Sequence, residues 1–192
     1  MIQLRPSRDS DLEFVLACES DAVAERFVTR WTLDLHRQAL ADPDCVHRII
    51  VDESDGERVG FTLIFGARSP HKCIELRRIV CTRKGRGLGR ASLQAVKRLA
   101  FRELDAHRLW LDVKSHNARA RHLYASEGFV QEGMLRECLL TEQGFESMVL
   151  MGILRPEYEI RPEAAGPVAA AGSGASSIVP RAPDGGLRKS DA

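Results

Sequence analysis

The sequence predicts a mixed α/β domain, and three observations carry that prediction. Strand-like and helix-like runs alternate in the order β-α-α-β-β-β-α-β-α-β-β. Three strands follow one another early, so they pair antiparallel, and a strand–helix–strand unit in the middle calls for a parallel neighbour. Composition then turns Ala/Gly/Ser/Pro-rich near Arg161, where the folded part ends.

The elements follow in order. "IQLRP" reads as a first strand, and a helix starts at Asp9 as N-cap and runs through "DLEFVLACES". "TLDLHRQALA" is a second helix, stopped by Asp42-Pro43. "HRIIVDE" and "RVGFTLIFGA" are β-rich runs joined by Ser54-Asp55-Gly56-Glu57, a hairpin signal. "CIELRRIVC" is the fourth strand. From Leu88 to Leu104, the apolar positions Leu93, Val96, Ala100 and Leu104 recur at helical spacing opposite Lys97, Arg98 and Arg102. "RLWLDVK" alternates Leu109, Leu111 and Val113 on one side, as a strand does. "NARARHLYASEGF" is a helix capped by Asn117 and ended by Gly128. "FVQEGMLRECLL" and "FESMVLMGIL" are two last strands around a turn at Gln143-Gly144. Residues 1–158 form the domain, and 159–192 are too poor in large apolar side chains to offset their ordering entropy, so a disordered tail is expected.

Bulk properties exclude several classes. With 28 Lys+Arg against 27 Asp+Glu, the net charge of +1 gives no global field for nucleic acid or an acidic membrane surface. Five scattered cysteines (Cys18, Cys45, Cys73, Cys81, Cys138) without a Cys-x-x-Cys pair suit free thiols in a reducing cytosol. Neither a leader-like segment nor an apolar run of about 20 residues occurs, so a cytoplasmic setting is expected.

The most informative stretch is "CTRKGRGLGRASL", Cys81 to Leu93, with three glycines at alternate positions among basic residues at the mouth of a helix. Free N–H groups at a helix start, with about half a positive charge from the dipole, suit a pyrophosphate. Glycine lets the backbone approach closely and take positive φ. A P-loop would need Lys-Ser/Thr after the last glycine, but Arg90-Ala91 follows Gly89. A dinucleotide Gly-x-Gly-x-x-Gly fails as well, because Arg90 occupies the final position after Gly85 and Gly87.

Lys84-Gly85-Arg86-Gly87-Leu88-Gly89 resembles the Arg/Gln-x-x-Gly-x-Gly/Ala acyl-CoA loop of the GNAT N-acetyltransferases, with Lys in the leading position. "NARARHLYASEGFVQEG" resembles that family's Asn-x-x-Ala-x-x-x-Tyr-x-x-x-Gly-Phe-x-x-Glu-Gly segment, and "IELRRIVC" its fourth strand. The likeness spans about residues 1–155, and its last part is similar to the branch of ribosomal-protein N-terminal and spermidine acetyltransferases. The resemblance implies a mostly antiparallel sheet of about seven strands, with the fourth and fifth splayed, flanked by about four helices. It also implies acetyl-CoA as cofactor and direct acetyl transfer to a primary amine, on a protein N-terminus, a polyamine or another small amine.

Within that resemblance, backbone groups of Ile79 and Val80 would pair with pantetheine, and amides from Arg86 through Arg90, including Gly87, Leu88 and Gly89, would hold the pyrophosphate. Lys84, Arg86 and Arg90 would add charge beside Gly85. Asn117 would hydrogen-bond pantetheine and Tyr124, seven residues on and on the same helix face, would donate a proton to the leaving thiol. A half-buried packing Tyr124 and a purely capping Asn117 are the plain alternatives. Glu75 is the candidate base, against a strand-edge carboxylate pairing with Arg77 or Arg108. His116 and His122 fall on different sides of a helix, which disfavours a metal pair, and Cys81 lacks a companion histidine. Trp31 either lines the acceptor pocket or covers the core. Glu19, Asp21, Glu25 and Asp34 lie in the pocket region and hint at a polyamine, with Arg26, Arg30 and Arg37 among them. Expected partners are an amine substrate and a second copy of the chain. A non-catalytic acyl-CoA-binding module of the same fold is the competing class, and the presence of Tyr124 and Asn117 favours the enzyme.

Overall fold

The computed structural model describes residues 1–21, 27–83 and 86–160. Seven strands form one sheet: β1 (Ile2–Pro6), β2 (Cys45–Asp52), β3 (Glu57–Phe65), β4 (Cys73–Cys81), β5 (Arg108–Lys114), β6 (Val130–Thr141) and β7 (Gly144–Leu154). Their order is β1-β2-β3-β4-β5-β7-β6, antiparallel throughout except for the β4–β5 pair. Among the described residues, five α-helices accompany them: α1 (Leu12–Glu19), α2 (Leu33–Ala41), α3 (Leu88–Arg98), α4 (Ala118–Ser126) and α5 (Arg155–Ile160). The expected alternation of elements is therefore what forms, with α5 added; of the expected tail, 161–192 lie outside the described residues.

Two faces of the sheet carry separate cores. Ile74, Leu76, Leu109, Leu111 and Val113 pack with Leu93 and Val96 of α3, with Phe101 and Tyr158, and with Leu123 and Tyr124 of α4. On the other face, Val80, Leu63, Phe61 and Ile49 pack with Leu12 and Val15 of α1 and Ala39 of α2. Each such fully buried aliphatic side chain contributes roughly 1.5–3 kcal/mol, so the period-2 pattern of the strands dictates which helix lies on which face.

Two expectations about helix ends are corrected. Asp9 is not an N-cap: Arg8 precedes a 3₁₀ turn over Asp9–Asp11, and the Asp11 carboxylate accepts the Arg8 backbone N–H at 2.9 Å. The Asp9 carboxylate instead accepts from Arg37 at 2.9 Å. The helix expected to run unbroken to Leu104 widens into a π turn over Leu99–Glu103, where Leu104 N–H reaches back to the Leu99 carbonyl at 3.0 Å. Thr32 caps α2, and the turn at Gly56 takes φ +74°.

The feature that positions the site is the junction of β4 and β5. They pair at three positions only, Cys73–Arg108, Ile74–Leu109 and Glu75–Trp110, after which the strands part. β4 stays attached to β3 on its other side, with Leu63 opposite Arg78 and Ile64 opposite Leu76. Arg77 is the unmatched residue of that bulge, which bends the strand. Gly60 permits the close approach, because a Cβ there would sit 1.9 Å from the Val80 carbonyl oxygen. Among the described residues, no helix is long and apolar enough to cross a membrane, and the five cysteines are free thiols.

Candidate active site

The start of α3 has the form an anion requires. Gly87 is its N-cap at φ +71°, and Arg86 before it takes φ +51°, two successive left-handed residues that turn the chain into the helix. The first intrahelical bond runs from Ala91 N–H to the Gly87 carbonyl at 3.0 Å. The Leu88, Gly89 and Arg90 amides therefore have no helical acceptor. A Cβ on Gly87 or Gly89 would meet nothing within 4 Å, so open space lies over these amides. Leu88 is buried against Ile2, Ile50 and Val59, which anchors the loop. The Arg90 guanidinium is held by the Glu127 carboxylate, which also accepts from Lys97 Nζ at 2.9 Å. Arg90 thus offers its backbone N–H to a ligand, and its side chain ties α3 to the end of α4. Lys84 and Gly85 lie outside the described residues.

The parting of β4 and β5 leaves one edge of β4 without a strand partner. The Arg78 carbonyl accepts from the Thr62 hydroxyl at 2.8 Å, and the Val80 carbonyl lies beside Gly60, so both face β3. By strand alternation the Ile79 N–H and C=O face the opening. Of the two residues expected to pair with pantetheine, Ile79 is the one that presents its backbone groups.

α4 lies on the same side of the sheet as α3, its Leu123 and Tyr124 packed against the core that Ile79 of β4 also meets. Asn117 is its N-cap, its Oδ1 accepting from Ala120 N–H at 3.1 Å, which leaves the amide NH₂ group to donate elsewhere. Tyr124 is half-buried, its ring 5.8 Å from that of Phe129. Burial pushes its phenol up to about 12, and the negative charge of Asp112 adds to the effect. The hydroxyl therefore keeps its proton throughout the neutral range.

On the α1/α2 face, the bulge at Arg77 brings Glu75, Arg77 and Arg78 together. Arg77 binds Glu75 through Nη2 at 2.9 Å, with Nε 2.7 Å from Oε1, so the pairing alternative for Glu75 is realised with Arg77 and not Arg108. Arg108 binds Glu132 instead. Arg78 donates from Nη1 to Glu19 at 2.7 Å and to the Thr29 carbonyl at 2.6 Å, and its guanidinium lies 4.4 Å from the Trp31 ring centroid. Glu19 also accepts the Trp31 backbone N–H at 2.9 Å. Trp31 covers the core here, packing edge-on against Phe65 and beneath the Arg78 guanidinium. The acidic hint weakens, since Glu19 is consumed by Arg78, Asp34 is exposed on α2 beside Arg37, and Glu25 lies outside the described residues. Phe27 reaches His116 with ring centroids 5.6 Å apart, joining the α1–α2 segment to the start of α4. Arg78 and Asp112 are not singled out by the sequence reading, and Arg77 only as a partner for Glu75; a pair of adjacent arginines in a mostly apolar strand is the signal available. Among the described residues, no group of three or more His, Cys, Asp or Glu side chains is placed to hold a metal ion.

Comparison with known proteins agrees with the fold. The profile of the Acetyltransferase (GNAT) family matches residues 12–129. Spermidine N(1)-acetyltransferase of Escherichia coli K12 is 24% identical over 166 residues, covering 82% of this chain and 88% of that one. A Bacillus subtilis protein provisionally named as a [ribosomal protein bS18]-alanine N-acetyltransferase is 26% identical over 147 residues, 77% of this chain and 92% of its own. The crystal structure of a Vibrio cholerae spermidine N-acetyltransferase in complex with CoA and spermine superposes with a TM-score of 0.74 at 22% identity, over 82% of this chain and 98% of that one.

Proposed function

This chain belongs to the GNAT acetyltransferase family and is an acetyl-CoA-dependent N-acetyltransferase, and we propose that transfer to the acceptor amine is direct and takes place in the opening between β4 and β5. One observation carries the placement: strands paired at three positions part immediately after Glu75, while free helix amides start the α3 that follows β4 and Tyr124 packs on the same core as Ile79.

The residues present fit coenzyme A. Leu88, Gly89 and Arg90 would hold its diphosphate by backbone N–H groups, with the positive end of α3 behind them. Ile79 would pair with the pantetheine amides as a missing strand would, and the Asn117 amide group would donate to them from α4. When bound, acetyl-CoA supplies an activated acetyl thioester. Tyr124 holds a proton at its phenol oxygen, available to the departing sulfur. Glu75 lies at the last paired position of β4 and faces the side from which an amine arrives, where its carboxylate takes the ammonium proton through water. Arg77 orients that carboxylate. Holding amine and thioester together provides much of the acceleration, several kcal/mol without further chemistry.

The reading extends to the chain's setting. Free thiols on all five cysteines support a reducing cytoplasm. Val130, Met134, Leu135 and Leu140 exposed on the edge strand β6, with Phe145 on β7, support a homodimer. A panel of primary amines offered with acetyl-CoA, followed by free-thiol release, tests the function; thiol release that no amine accelerates would contradict it.

A further inference from the structure

The substrate class is written on the face of β4 opposite the cofactor helices. α3 and α4 share one side of the sheet, whereas α1 and α2 cover the other. An acceptor meeting a cofactor bound at α3 therefore approaches from the α1/α2 side, past Glu75, Arg77, Arg78 and Trp31. Among the described residues there, both glutamates are matched by arginines: Glu75 by Arg77 and Glu19 by Arg78. A polyamine, which brings several positive charges and only donors, finds its two buried carboxylates already neutralised.

The arginines themselves are incompletely used. The Arg78 side chain is 8% exposed, with Nη1 on Glu19 and Thr29, yet its Nε–H is buried without a hydrogen-bond partner. Arg77 Nε is in the same condition, 2.7 Å from Glu75 Oε1 but not directed at it. Buried donors of charged groups are costly to leave unmet, so each marks a place for an oxygen. Trp31 stacked at 4.4 Å and Glu19 at 2.7 Å fix the Arg78 plane, which makes the donor direction rigid.

We propose that Arg78, clamped by Glu19 and Trp31, is a specificity determinant that donates to a carbonyl oxygen beside the reacting nitrogen, so that the acceptor is an α-amino amide or peptide N-terminus and not a polyamine. This rests on the assignment of the β4–β5 opening as the transfer site. An α-amino amide carries its carbonyl carbon next to the carbon that bears the nitrogen, so a donor on the α1/α2 face of β4, shortly beyond Glu75, would select for it. Spermidine has no acceptor to offer.

The test uses the full chain, acetyl-CoA, and two acceptors, L-alaninamide and spermidine, with kcat/KM expressed per neutral amine. Removing the Arg78 charge outright would leave Glu19 uncompensated and endanger the fold, so the variant is Arg78→Lys, which keeps the charge and deletes the Nε–H. The expected result is a wild-type preference for alaninamide that Arg78→Lys cuts about tenfold to a hundredfold, with spermidine changed less than about twofold. Calorimetric affinity for acetyl-CoA stays unchanged in the variant. A wild-type preference for spermidine, an equal loss on both acceptors, or no loss on either overturns the inference while the site stands. Failure of the wild type to bind acetyl-CoA overturns the site assignment and the inference with it.

Discussion

Glu19 at the end of α1 and Arg78 on β4 are 59 positions apart in sequence, yet their side chains meet at 2.7 Å with exposures of 1% and 8%. The pair joins the first helix to the strand that opens away from β5, so the α1/α2 face of the sheet is held by an interior charge contact in addition to apolar packing. His36 Nε2 lies 3.5 Å from the same Glu19 oxygen, and His36 in turn contacts His47.

Removing one member of that pair strands the other in a desolvated site. Glu19→Ala is expected to cost about 3–5 kcal/mol, read as a fall in denaturant midpoint at unchanged slope. The double variant Glu19→Met/Arg78→Leu, which removes both charges, should recover much of that loss. A single variant as stable as the wild type would show that the contact is not formed.

Gly87 tests the diphosphate cradle. At φ +71° a side chain costs about 1–2 kcal/mol in backbone energy, and no neighbouring atom offers either a clash or a compensating contact. Gly87→Val should weaken coenzyme A binding about tenfold while the melting temperature falls by only about 2–8 °C, leaving the protein folded for the measurement. Unchanged affinity by calorimetry would place the diphosphate elsewhere.

His47 predicts a pH dependence of stability. Burial, with His36 next to it, holds its pKa down from 6.5 to about 4. The fold thus favours the neutral ring, and the contribution is complete above pH 6.5. As pH falls from 6.5 to 4, the unfolded chain takes a proton that the folded chain refuses, and stability drops by up to about 3 kcal/mol. Below about pH 4 this loss stops growing. His47→Gln should flatten the wild-type slope across that window in urea titrations; an undiminished slope would assign it to other groups.

The sequence was most legible where the controlling interactions are local. The Asn117–Tyr124–Gly128 spacing, the glycine-bounded hairpin after Asp52 and the alternation of Leu109, Leu111 and Val113 each follow from periodicity or turn chemistry within a dozen residues. What was hidden depends on distant partners. Arg90 is named from its place in the glycine loop, whereas its side-chain partner Glu127, 37 positions on, is visible only in the fold. Glu19 read as part of an acidic pocket because its partner Arg78 belongs to a strand that only the folded sheet brings beneath it. Asp9 has the residue type of a cap, but its pairing with Arg37 of α2 and the cap-like role of Asp11 are tertiary choices. The parting of β4 from β5 was expected only through the family resemblance, since the alternation within each strand does not say how far the two pair.

The central claim is that the opening beside Tyr124 is where the acetyl group changes hands. Tyr124→Phe keeps the ring that packs on Phe129 and removes only the phenol proton, so its effect on turnover is the most direct measurement. The account predicts that kcat falls about 10²–10⁴-fold while the calorimetric affinity for coenzyme A is unchanged. A variant that turns over at the wild-type rate would contradict it.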